Sequence, residues 1–228
     1  MPGPSPRPPV ESTLLHELIA TAAHREPQAA ALAQGAATLD YASLHAQVAA
    51  FGHGLLALGL QRGERVAIYL EKRVETVVAS FGAPSAGGVF VPLNPLLKPE
   101  QVGFILADCD VRVLVTSGQR LALLADTLPQ CPALRHVIVI DGAQAPWPGG
   151  PAITTWADAL SAPARAGHRV IDTDVTAILY TSGSTGRPKG VVLSHRNMVA
   201  GAKSVASYLD NRASDTLLAA LPLSFDAG

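Results

Sequence analysis

The sequence predicts an α/β fold in which mainly parallel sheets are flanked by helices, and three observations carry that expectation. Short aliphatic or β-branched runs recur at residues 65–70, 111–116 and 136–140. Segments with helical spacing of apolar residues lie between them. That alternation argues for βαβ units, in which each crossover helix covers a face of the sheet. The chain also has enough apolar material to bury both faces, with 48% hydrophobic and 15% charged residues among 228. Such a length and composition support a substantial core and argue against disorder.

The elements follow in order. Proline fixes φ and donates no backbone hydrogen bond, so the proline-rich residues 1–10 form a disordered, extended tail. Ser12 or Thr13 can cap a helix reaching about residue 25, with Leu14, Leu15, Leu18 and Ile19 on one face and Pro27 beyond it. Residues 38–41 read as a short strand. Ser43 then starts a second helix, whose stripe Leu44, Val48, Phe51, Leu55 and Leu58 ends at Gly59. Strands at 65–70, 89–91, 111–116 and 136–140 alternate with helices at 73–86, 99–108 and 119–128. Pro84 should kink or end the first of those helices.

Residues 141–166 are rich in glycine, proline and alanine and lack periodicity. They read as a surface connection with one short helix near residues 155–160 and no catalytic role. Strands at 175–180 and 191–193 follow, then a helix capped by Ser194 and running to about residue 209. Residues 215–221 read as the final strand, ended by Pro222. No internal repeat divides residues 11–228.

Charge and cysteine content exclude several function classes. Lysine and arginine number 17 against 18 acids, a net charge of −1, which gives no electrostatic reason for a nucleic-acid partner or an anionic membrane surface. No run of about 18 apolar residues predicts a membrane span. The N-terminus lacks the apolar core of a signal peptide. Cys109 and Cys131 have no histidine or cysteine at metal-ligand spacing, so no metal site is read, and they fit buried free thiols in a reducing cytoplasm.

The chemistry concentrates in Tyr180-Thr-Ser-Gly-Ser-Thr-Gly-Arg-Pro-Lys-Gly190, between the last pair of aliphatic strands. Its glycines let the backbone curl and turn several N–H groups toward one point. Thr181, Ser182, Ser184 and Thr185 add hydroxyls, and Lys189 adds a positive charge suited to a phosphate oxygen. Pro188 stiffens the exit. Gly-x-x-x-x-Gly-Lys-[Ser/Thr] is absent, so this is not a Walker A loop. Taken alone, a cluster of this composition more often marks a surface loop or a hairpin turn.

Eleven consecutive residues, however, resemble the phosphate-binding signature of the acyl-adenylate-forming (AMP-binding) ligases. That superfamily includes acyl-CoA synthetases and peptide-synthetase adenylation domains. Leu39-Asp-Tyr-Ala-Ser-Leu44 is similar to the family's early strand-to-helix segment. Ala86-Gly-Gly-Val-Phe-Val-Pro-Leu-Asn-Pro95 is similar to its A-G-G-x-x-V-P-L-x-P segment. Leu221-Pro-Leu-Ser-Phe-Asp-Ala-Gly228 falls where the family carries its acyl-site segment. The wording around residues 93–98 and 223–228 also resembles acyl-CoA ligases associated with exosortase systems. The resemblance identifies residues 11–228 with the N-terminal part of an AMP-binding domain.

It further implies that Thr181, Ser182, Gly183, Ser184, Thr185, Gly186 and Lys189 contact ATP phosphates, with Lys189 also catalytic. Many family members carry histidine where this chain has Phe225. Phe225-Asp226 instead resembles amino-acid-activating domains, where the aspartate pairs with a substrate ammonium; the alternative is that Asp226 caps a helix. His195 reads as packing or helix-start chemistry. Gly190 reads as a permissive strand start, and Tyr180 as a residue that covers the loop or fills core.

The implied function is an ATP-dependent acid–thiol ligase. It would activate a carboxylic acid as acyl-AMP with release of pyrophosphate, then pass it to coenzyme A, using Mg²⁺. The alternatives are an amino-acid-activating domain serving a carrier-protein thiol, and a non-catalytic nucleotide-binding remnant. The family's later segments, which supply the Mg²⁺-binding acid, the base contacts and a C-terminal domain, have no counterpart in these residues. The chain is therefore expected to be a truncated piece of such an enzyme and a very poor catalyst alone.

Overall fold

In the computed structural model the described residues are 11–142, 145, 147, 149–181 and 188–224. The expected tail at residues 1–10 lies outside them.

A small antiparallel hairpin, β1 (Ala30–Gln34) with β2 (Ala37–Asp40), follows helix α1 (Glu17–Arg25) and leads into α2 (Tyr41–Ala57). The main sheet contains β3 (Arg65–Tyr69), β4 (Val89–Pro92), β5 (Val111–Thr116), β6 (His136–Val139), β7 (Ala152–Thr155), β8 (Val175–Thr181) and β9 (Lys189–Ser194). Its order is β7-β6-β5-β3-β4-β8-β9. Every neighbouring pair is parallel except the antiparallel β8–β9 hairpin. The crossover helices are α3 (Val74–Ser85), α4 (Pro99–Asp108) and α5 (Gly118–Leu123); α6 (Trp156–Leu160) follows β7 and α7 (His195–Tyr208) follows β9. This is the mainly parallel, helix-flanked sheet that the sequence predicts.

The inner strands are aliphatic because both of their faces are covered, and successive residues serve opposite cores. On one side Val66, Ile68, Phe90, Val113, Val115, Ile138, Ala177 and Leu179 pack with α1, α2, α3 and α6. On the other, Ala67, Tyr69, Val91, Leu114, Val137 and Val139 pack with α4 and α5, joined by Ile178 and Tyr180. Helix α2 packs tightly against its neighbours. A β-carbon placed on Gly54 would lie 2.2 Å from the carbonyl oxygen of Ala159 in α6, a backbone atom that cannot swing aside. Gly54→Ala is therefore expected to destabilise the chain by about 1–3 kcal/mol, the usual cost of overpacking, read as a lower urea midpoint with an unchanged slope.

Several element boundaries differ from expectation. Helix α1 begins at Glu17 rather than near Ser12, because the Glu17 carboxylate accepts from the N–H groups of Thr13 and Leu14 (both 3.0 Å) and holds them in a preceding turn. Asp40, not Ser43, caps α2, accepting from Ser43 N–H at 2.7 Å. Pro84 sits in the last turn of α3, where it removes one i→i−4 hydrogen bond, and the helix ends one residue later at Ser85. Helix α5 stops at Leu123, and Pro129 lies in a separate 3₁₀ turn, Leu128–Gln130.

The expected strand at residues 215–221 is not formed. Those residues have no ladder partner, and Leu217 and Leu218 are 72% and 89% exposed. The Lys72 ammonium instead takes up carbonyls of this segment, donating to Ala219 and Ala220. Strands β1 and β7 had no forecast in the sequence.

Candidate functional site

The conspicuous loop is the tip of the β8–β9 hairpin. Ile178 pairs with Val192, Leu179 with Val191, Tyr180 with Gly190 and Thr181 with Lys189. The ladder thus places the hydroxyl and ammonium residues at the two ends of the loop on one rung. Both are exposed. The hairpin-turn reading and the phosphate-loop reading are compatible, since the loop is carried on a hairpin. Ser182, Gly183, Ser184, Thr185 and Gly186 lie outside the described residues, as do Phe225 and Asp226.

Because β8 runs parallel to β4, Thr181 leaves the sheet at its carboxyl edge, alongside the ends of β3, β4, β5 and β6. Ligands of open α/β sheets bind at that edge, preferentially where the strand order reverses. Here the reversal lies between β3 and β5, and the chain's own side chains fill it. The Arg120 guanidinium lies 4.6 Å from the ring centre of Tyr69, pairs with Glu71, and donates at 2.8 Å to the carbonyl of Pro95. The hydrogen bond that Arg120 donates to Glu71 lowers the Glu71 carboxyl below its ordinary range.

The open space at the carboxyl edge is a cavity of about 250 Å³ beside the ends of β3 and β4, lined in part by Leu70, Lys72, Thr76, Leu93, Pro222 and Ser224. The Ser224 hydroxyl is buried there without a hydrogen-bond partner among the described residues. A larger cavity of about 740 Å³ opens toward the amino edge, between Arg62, Arg65, Asp108, Asp174 and the Tyr180–Gly190 rung. Its walls carry paired charges, Arg62 with Asp174 and Arg65 with Asp110, so its cations are already engaged. The smaller cavity shares the loop's edge of the sheet, whereas the larger one meets the loop's root at the Tyr180–Gly190 rung.

His195 opens α7 and is 1% exposed. Its Nδ1 accepts from the N–H of Leu15 at 3.0 Å, and its ring meets His16 edge-on at 5.9 Å. Burial, with His16 beside it, pushes its pKa down to about 4. This histidine fastens the start of α1 to the β9–α7 corner and points away from the loop. Among the described residues no three histidine, cysteine, aspartate or glutamate side chains gather as a metal site. Asp108, which accepts from the Tyr180 hydroxyl, gave no signal in the sequence; it lies in another element, 72 positions away.

A parallel sheet with a glycine- and hydroxyl-rich hairpin loop at its carboxyl edge defines the architectural class, and comparison with known proteins defines the family. Residues 19–228 match the AMP-binding enzyme model, and the chain belongs to that family. It is 32% identical over 218 residues to surfactin synthase subunit 2 of Bacillus subtilis, covering 96% of this chain and 6% of that protein. It is 35% identical over 193 residues to the long-chain-fatty-acid–CoA ligase FadD13 of Mycobacterium tuberculosis, covering 81% of this chain and 35% of that protein. ATP-bound MatB from Rhodopseudomonas palustris superposes with a TM-score of 0.75 at 27% identity, over 92% of this chain and 41% of that one. The chain thus spans well under two thirds of the relatives it matches. Acyl-CoA ligases and peptide-synthetase adenylation domains both stand among them.

Proposed function

We propose that this chain carries the nucleotide-phosphate loop of an ATP-dependent acid–thiol ligase. Such an enzyme converts a carboxylic acid and ATP to acyl-AMP and pyrophosphate, then passes the acyl group to the thiol of coenzyme A. The observation that carries the reading is the Thr181–Lys189 rung at the carboxyl edge of the sheet, within a family match covering residues 19–228. Lys189 stands there with no ion-pair partner among the described residues, so its ammonium can meet phosphate oxygens. It would stabilise charge that develops on the phosphates during transfer. Ser182, Gly183, Ser184, Thr185 and Gly186 would complete the cradle with hydroxyls and backbone N–H groups. Mg²⁺ would accompany the nucleotide and neutralise charge on its phosphates.

A second reading, amino-acid activation for a carrier-protein thiol, is favoured by one observation: the surfactin synthase relative aligns over 96% of the chain. In that reading Phe225 and Asp226 would face the substrate's ammonium end. Free Cys109 and Cys131 support a reducing compartment, the cytoplasm, in either case. No helix among the described residues is long and apolar enough to cross a membrane.

Titration of the chain with ATP and Mg²⁺ by calorimetry tests the loop. Lys189→Ala is expected to weaken binding by roughly 10- to 100-fold, the range for losing a charge-assisted hydrogen bond. Equal binding by both forms removes Lys189 from the site. Acid-dependent pyrophosphate exchange by the natural protein that contains this chain tests the reaction. Exchange with fatty or aryl acids but not amino acids supports the first reading, the converse supports the second, and none with either panel overturns both.

A further inference from the structure

Tyr180 stands immediately before the loop, and its surroundings give it a task that neither core filling nor loop covering describes. Its side chain points to the α4 side of the sheet, together with Ile178. The residue opposite it on the ladder is Gly190. A β-carbon built on Gly190 would lie 2.7 Å from Cγ2 of Ile178, 3.2 Å from Cζ of Tyr180 and 3.3 Å from its Cε2. The tyrosine ring therefore lies across the bare backbone of Gly190, in space that any side chain would claim. A strand glycine has nothing of its own to pack, and a cross-strand aromatic ring restores the missing contact.

The phenol continues to α4, where it donates a 2.5 Å hydrogen bond to Oδ2 of Asp108. Asp108 is the last residue of that helix, where the helix dipole disfavours a carboxylate. A donor held at that oxygen offsets the mismatch. Burial and the neighbouring carboxylate both push the Tyr180 phenol upward from its ordinary range, so it remains a donor at any working pH. Next to it the Cys109 thiol is pushed up to about 11 by burial and stays uncharged.

The rung needs such an anchor. Among the described residues strand β9 is the margin of the sheet, with β8 as its one neighbour, and Thr181–Lys189 is the last pair before the loop. Terminal rungs of an edge hairpin open locally with little free energy unless something outside the ladder holds them. We propose that Tyr180 is a positioning residue: its ring over Gly190 and its bond to Asp108 hold the last rung of the hairpin closed, so that Lys189 faces Thr181 at the root of the loop. The consequence for nucleotide binding rests on the function proposed above; the anchoring of the rung does not.

Four variants test this: Tyr180→Phe, Asp108→Ala, their double, and Asp108→Asn, which keeps an acceptor oxygen. Two measurements are made on each, trypsin cleavage at the Lys189–Gly190 bond under native conditions and the Kd for ATP with Mg²⁺. Tyr180→Phe and Asp108→Ala are each expected to speed cleavage and raise the Kd about tenfold, as befits one charge-assisted hydrogen bond. The double variant should be no worse than either single, and Asp108→Asn should stay within about twofold of the parent, because the acceptor survives. Additive effects in the double variant overturn the proposal, as does an Asp108→Asn chain as impaired as Asp108→Ala. Unchanged cleavage overturns it too, and so does faster cleavage with an unchanged Kd. If the parent chain binds no ATP, the loop assignment falls and the cleavage series alone decides the role of Tyr180.

Discussion

Phe51→Ala is expected to lower the unfolding free energy by about 3–5 kcal/mol, the range for truncating a buried phenylalanine. The Phe51 side chain is fully buried and stacks on Trp156 with ring centres 4.8 Å apart and planes 27° from parallel. On its other side it fills the space over Gly82, where an added β-carbon would lie 2.7 Å from its Cδ1. The ring is thus wedged between α3 and α6. Each of those helices is tied to the sheet through its own contacts, so the walls cannot close on the space left behind. A cavity that cannot collapse puts the loss at the upper part of the range. At about 2–4 °C per kcal/mol for a chain of this size, the melting temperature should fall by about 10 °C. Phe51→Leu should restore much of it. A fall of under 2 °C for Phe51→Ala would mean that the ring does not hold α2 against α6.

Acidification is the second large effect. His195 has a folded pKa of about 4 against 6.5 for the free side chain, because burial disfavours its charged form. A depressed folded value means that the unfolded state takes up the proton first. Stability is therefore full above pH 6.5, falls as the pH drops from there, and levels off once the pH passes the folded pKa near 4. At 1.36 kcal/mol per pKa unit, the whole interval corresponds to about 3 kcal/mol. The surroundings do not reverse the sign. Asp174, Asp172 and Glu17 pull the value upward, yet burial outweighs them. Asp174 remains charged through the window, since Arg62 holds its carboxyl below the ordinary range. His16 is also lowered by burial and acts in the same direction. Protonation would moreover remove the Nδ1 acceptor that Leu15 uses. Urea unfolding at pH 7 and pH 4.5 reads the effect directly. His195→Asn retains an acceptor but does not titrate, so its stability should vary less with pH than that of the parent. Parallel pH profiles for the two would clear His195 of the effect.

Strands buried on both faces were the most legible part of the fold, because a position that meets a helix whichever way it points must be apolar. That is why β3, β5 and β6 appear at nearly their sequence boundaries. Strand β1, Ala-Ala-Leu-Ala-Gln, escaped notice because alanine is a poor strand former and the hairpin is only half covered. Strand β7 is four residues inside a glycine- and proline-rich stretch, and its order comes from lying beside β6. The segment 215–221 taught the opposite lesson. Its aliphatic run satisfies the local rule for a strand, but a strand requires a neighbour, and local pattern cannot supply one.

Thr181 and Lys189 stood out in the sequence because the phosphate chemistry proposed for the loop restricts the residue types near it. Their placement on one rung follows from the hairpin register, which the loop composition does not encode. Asp108 was invisible for a related reason: a carboxylate at a helix end looks solvated until the fold brings a tyrosine to it.

The arginine that closes the gap between β3 and β5 has a practical consequence. Compound screening against an α/β sheet ordinarily begins at the strand-order reversal, but in this chain a probe sent there would have to displace a cation–aromatic contact and an ion pair before touching backbone. Vacancy lies one strand further along, where Pro92 and Leu93 look across to Ser224. An inhibitor or affinity label for this protein is better built outward from that hydroxyl than inward from the sheet's centre.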